Sequence, residues 1–224
     1  MLKKYFIHVL LDMCKRAHLV GNVTTHALAY LQRHFLFHSI ADYPPNGLVL
    51  LCIVLGCKAC EMSISIDELA RSIGLSTVEQ DFVRANELIF LGGIKFHVNI
   101  HSPFRALRGH IFELRSSPVV AGATIDWTSL HIRAEALLLA VLPTDASFLY
   151  APSRLALAAL RRAANETNCK SSMEEHIGAL CSRAQVSSLL VDLLAIDKIM
   201  ATAQTPPSAE SLEVRSGDDT VQRR

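Results

Sequence analysis

Apolar residues recur three and four positions apart along most of this chain, in segments separated by short intervals rich in glycine and proline. The spacing predicts helices over residues 2–18, 23–39, 46–60, 65–73 and 76–91, punctuated at Gly21-Asn22, Pro44-Pro45, Gly74 and Gly92-Gly93. A second set is predicted over 104–115, 126–142, 152–165, 171–184 and 186–202, broken by Pro118, Pro143 and Pro152. Strand-like alternation is confined to "IKFHVNIHSPF" (Ile94 to Phe104), too brief for a sheet and suited to an extended crossing between the two sets. The expectation is an all-α protein of two tandem five-helix domains, residues 1–102 and 103–203. A polar, turn-rich, disordered tail is expected over 204–224.

Two of these helices carry further detail. The third, within "GLVLLCIVLGCKACE" (Gly47 to Glu61), is apolar all round, as a helix surrounded by others should be, with Lys58 and then Glu61 at its exit. The fifth opens on a capping box, Ser76 three residues before Glu79. Val78, Phe82, Ala85 and Ile89 follow at helical spacing and predict its core face, and Glu87 interrupts its otherwise apolar end.

Half of the 224 residues are hydrophobic, enough for a sizeable core. Lys plus Arg (22) nearly balance Asp plus Glu (21) and are spread along the chain, which argues against direct nucleic-acid binding and against an anionic membrane surface. No apolar run reaches the roughly 20 residues of a membrane span. The opening "MLKKYFIHVLLDMCKR" is interrupted by His8, Asp12 and Lys15, so it reads as an amphipathic helix and not a signal peptide. Six cysteines scattered inside apolar helical patterns suit a reducing compartment, cytosol or nucleus.

Chemistry-bearing motifs are sparse. "CKAC" (Cys57 to Cys60) has the spacing of a zinc or redox pair but no second pair to complete it, so both cysteines read as core filler. His34 and His38 would share a helix face without the acid of an HExxH motif. With no nucleophile elbow, phosphate loop or kinase signature, neither an enzyme, a cofactor nor a metal site is expected. Lys58 has two readings: it satisfies the last carbonyls of its own helix, or it reaches carbonyls on a partner.

The order "ALAYLQRHFLFHSI", "LVLLCIVLGCKACE" and "ANELIFLGGIKFHVNIHSPFRALRGHIFEL" resembles the cyclin box, and specifically the transcriptional cyclins of the cyclin H and cyclin C group. "CKACE" looks like that family's Ala-Cys-Lys-x-x-Glu element. "DASFLYAPSRLALAAL", with Ser153, is similar to the cyclin H side of the group. The resemblance covers residues 2 to about 200 and implies tandem five-helix cyclin boxes.

It also implies a regulatory subunit that binds and activates a cyclin-dependent kinase in the nucleus, as part of a CDK-activating kinase with a RING-finger assembly factor and TFIIH. The runner-up is a cyclin C-like Mediator subunit; a TFIIB-like scaffold would require a basic stripe that is absent. Carried over position by position, the kinase-contacting lysine falls on Lys58 and its acidic partner on Glu87. Glu61, Phe90, Leu91 and Ile94 complete the expected kinase-binding set.

Overall fold

The apolar run after Pro45 becomes the helix on which the first half of the molecule is built. The structure is a computed structural model that describes residues 2–19, 21–39, 42–120, 125–167, 169–180 and 183–203. In the first half α1 (Leu2–Arg16), α2 (Asn22–His34), α4 (Ile66–Ile73) and α5 (Thr77–Gly93) pack around α3 (Pro45–Ala59). Every residue of α3 from Gly47 to Cys57 is buried, which explains its unbroken apolar character. Pro45 stands at its first turn, where the missing N–H has no intrahelical role.

The second half repeats the plan around α9 (Pro152–Glu166), where Leu155 to Leu160, Ala163 and Ala164 are all buried and alanine outnumbers leucine among them. Around it lie α6 (Pro103–Ser116), α7 (Trp127–Val141), α8 (Ala146–Leu149), α10 (Lys170–Leu180) and α11 (Arg183–Ala203). Small side chains let neighbouring helices approach it closely. Ion pairs Arg154–Asp192 and Arg162–Asp197 link α9 to α11, and Arg133–Glu166 links α7 to α9. All regular structure among the described residues is helical, in agreement with the all-α expectation. None of the described helices is long and apolar enough to cross a membrane.

The predicted crossing holds as a non-helical segment over residues 97–102. Its backbone is pinned by α2: the Tyr30 hydroxyl donates to the Val98 carbonyl at 2.7 Å and Arg33 Nη1 to the His97 carbonyl at 2.6 Å. The two halves also meet at Gln32, described below.

Three expectations are corrected. The second helix stops at His34 and not at residue 39, because the N–H groups of Leu36 and Phe37 bond to Arg33 and His34 three residues back, tightening the last turn. The four-residue α8 and a 3₁₀ turn over Pro118–Val120 were not expected, being too short to carry a period. The core face of α5 is the larger correction. Val83 and Phe90 are buried and Phe82 is half-buried, whereas Val78 (74% exposed), Ala85 and Ile89 (66%) face outward. The periodicity was real, but it traced a solvent-facing stripe. The tail over 204–224 lies outside the described residues.

Candidate functional site

Helix α3 delivers Lys58 to the surface one turn after its buried run ends. The last carbonyls of α3 are already satisfied by the chain that follows: Cys60 N donates to Gly56 O, Glu61 N to Lys58 O and Met62 N to Cys57 O. Glu61 takes the left-handed conformation (φ 57°) that closes the helix. The carbonyls of Gly56, Cys57 and Lys58 thus already accept from the backbone that follows, and the Lys58 ammonium finds its partner elsewhere.

Instead Lys58 Nζ lies 2.5 Å from Glu87 Oε1, an ion pair between α3 and α5. The lysine side chain is 55% exposed and the glutamate 27%. Two residues singled out separately in the sequence thus share one spot on the surface. An exposed pair of this kind contributes only about 0–1 kcal/mol to stability, so neither charge is needed to hold the helices together.

The remaining expected contact residues divide. Glu61 is exposed beside the pair and Leu91 is half-buried. Phe90 and Ile94, each 3% exposed, belong to the core and offer no contact area; their positions turn inward with Val83. The sequence missed the residues that do face out. Ala85, Leu88 (71% exposed), Ile89 and Gly92 form an apolar stripe along the outer face of α5, turned away from Glu87 and from the buried Val83 and Phe90, and Val78 extends it toward the helix start. The signal was present in part, since Val78, Ala85 and Ile89 belong to the pattern read as a core face.

The other candidates are structural. Cys57 is buried and Cys60 half-buried, and burial pushes both thiols up, Cys57 to about 11, so neither is a poised thiolate. His34 is 1% exposed and its ring stacks on those of Phe90 and His38, at centroid distances of 4.7 and 4.4 Å. The two histidines form an aromatic stack and not a pair of metal ligands.

Comparison with known proteins follows the same lines. A family model for the cyclin C-terminal domain matches residues 102–204. Cyclin-H of Xenopus laevis is 26% identical over 218 residues, covering 93% of this chain and 66% of that protein. A probable cyclin-H of Echinococcus multilocularis is 29% identical over 147 residues, 60% of this chain and 44% of that protein. Among solved structures, one chain in the CAK complex of Chaetomium thermophilum bound to ATP-γ-S has 27% identity and a TM-score of 0.76, covering 90% of this chain and 62% of that one. The chain therefore spans less than two thirds of the length of these relatives. Two helical sets, each wrapped around a central helix, and matching segments in the same order along nearly the whole length make the chain similar to the cyclins in both fold and sequence.

Proposed function

We propose that this chain is a cyclin H-like regulatory subunit that binds and activates a cyclin-dependent kinase and performs no bond chemistry itself. The observation that carries the reading is the exposed apolar stripe on the outer face of α5, the helix whose Glu87 also pairs with Lys58. A contiguous apolar stripe left in water costs free energy that only a partner recovers. Burying a Leu or Ile side chain gains about 1.5–3 kcal/mol, so Val78, Leu88 and Ile89 together supply most of the affinity. The ion pair then sets register, its ammonium turning to partner carbonyls and its carboxylate to partner N–H groups.

A protein kinase is active when its strand lysine pairs with the glutamate of helix C. Converting a mostly inactive population to a mostly active one requires about 5.5 kcal/mol of differential binding. The stripe has the apolar area for this, and two surface charges alone do not. In this reading the cyclin boxes divide at residues 102/103, and the complex is a CDK-activating kinase with a RING-finger assembly factor, in TFIIH and in the nucleus. The cyclin-H relatives and the CAK neighbour support that assignment over a Mediator subunit.

Co-expression with a TFIIH-type cyclin-dependent kinase, followed by pull-down and a kinase assay, tests it. Leu88→Glu with Ile89→Glu is expected to abolish association and activation while leaving helical circular dichroism intact. Lys58→Ala with Glu87→Ala should weaken both without changing the fold. Unchanged kinase activation by the Leu88→Glu, Ile89→Glu chain would remove α5 as the docking surface.

A further inference from the structure

Outside the α3–α5 surface, one cluster of metal-ligating side chains stands out among the described residues: His110 and Glu113 on α6 and His176 on α10. We propose that these three residues form a divalent transition-metal site, zinc foremost, that clips α10 onto α6.

The geometry fits an open tetrahedral centre. One ligand atom from each residue lies within 4.8 Å of the others, and His110 Nδ1 is 3.9 Å from Glu113 Oε2, too far for a hydrogen bond. Zinc bonds of about 2.0–2.2 Å place tetrahedral ligand atoms about 3.3–3.6 Å apart. Contraction by about 1 Å, within reach of the exposed Glu113 side chain, completes the set. Two histidines and one carboxylate supply three ligands, and water takes the fourth position on the solvent side.

Two further observations point at an ion. His176 is only 5% exposed, and its Nε2 is buried with no hydrogen-bond partner; His110 Nδ1 is in the same condition. Two buried ring nitrogens without partners are costly unless something bridges them. The outer side of His110 is also fixed. Its Nε2 lies 3.1 Å from Ser153 Oγ on α9, and donation to that hydroxyl leaves Nδ1 as the lone pair that a metal requires. Helices α6 and α10 thus bring the ligands, and α9 brings the residue that orients one of them. The cluster is not legible in the sequence, because its ligands come from two distant helices, with no HExxH or paired CxxC spacing.

The test uses the full chain, stripped with a chelator and titrated with Zn(II) against a chromophoric competitor. One ion per chain at about micromolar affinity or tighter is expected, and Co(II) should give the visible bands of a four-coordinate centre, lost on adding Zn(II). Glu113→Gln, on an exposed side chain that folding does not need, and His176→Ala should each weaken binding at least tenfold. Ser153→Ala, removing only the orienting hydroxyl, should weaken it about 10–100-fold. Zinc should raise the Tm of the wild type and leave that of Glu113→Gln unchanged. No stoichiometric binding, or binding that survives both Glu113→Gln and His110→Ala, would overturn the site and assign any affinity to other histidines or to the cysteines. Should His176→Ala fail to fold, Glu113→Gln and Ser153→Ala decide the matter.

Discussion

A single buried imidazole illustrates how much one residue can contribute. His34 is enclosed by Phe90, His38, Phe35 and Tyr43, and neither ring nitrogen has a hydrogen-bond partner among the described residues. Burial, helped by neighbouring His38, lowers its pKa to about 4; the titratable groups facing it are His38 and Tyr43. In the unfolded chain a histidine protonates near 6.5, so between about 6.5 and 4 the unfolded state binds more protons than the folded one. Stability therefore falls as pH drops through that window. Urea unfolding at stepped pH should show the decline, and His34→Phe, which keeps the ring stack and removes the charge, should flatten it. Burial also lowers His110 and His176, so a residual slope is expected in the variant. A profile identical to wild type would mean that His34 does not take up the proton. Nothing in the spacing of His34 and His38 signals this burial; it depends on α5 delivering Phe90 against the ring.

For helices, the decisive question is which face meets which neighbour. A Cβ added at Gly56 would lie 3.0 Å from the Val23 carbonyl oxygen and 3.3 Å from Ala27 N, so α2 and α3 pack backbone to backbone there. Gly56→Ala gains about 0.5–1 kcal/mol in helix propensity but forces apart two backbones at a cost of about 1–3 kcal/mol, and the second effect wins. Gly92, on the open side of α5, has nothing within 4 Å of an added Cβ. Gly92→Ala should therefore raise the Tm while Gly56→Ala lowers it. Equal shifts of the same sign would contradict the close α2–α3 approach. Gly56 sits inside a predicted helix and Gly92 at the predicted break after one, and only the packing shows which of them meets a neighbouring backbone. The same holds for α5, where Val78, Ala85 and Ile89 were legible as a stripe, yet a stripe on one helix reads alike whether it meets the core or a partner.

Across the whole molecule, the two halves are joined by a buried polar side chain. Gln32 is 2% exposed, and its Nε2 reaches the carbonyls of Leu142, Pro143 and Thr144 at 3.3, 3.1 and 3.4 Å. Its Oε1 accepts from Ser147 Oγ at 3.2 Å. These carbonyls follow α7, where helix ends leave acceptors without intrahelical partners. Gln32→Leu fills the space but strands them, at a cost of about 1–3 kcal/mol. Denaturant unfolding should show a lower midpoint, and Gln32→Glu, which removes the donor and sets a carboxylate against carbonyls, should be worse. A wild-type midpoint for both would mean that water replaces the amide at the junction.

The order of the helices, the central place of α3 and the capping box opening α5 were all determined by sequence, because each depends on local spacing, turn chemistry or an unbroken apolar run. Lys58 and Glu87 could also be named from sequence, through motifs whose order resembles a cyclin box. The tertiary structure decided that they meet, that Phe90 and Ile94 face inward, and that Leu88 and Ile89 face outward. It also decided that His110, Glu113 and His176 converge. The reason is geometric: a helical period fixes relative angles around one axis, and only the neighbouring helices fix which angle points to the core.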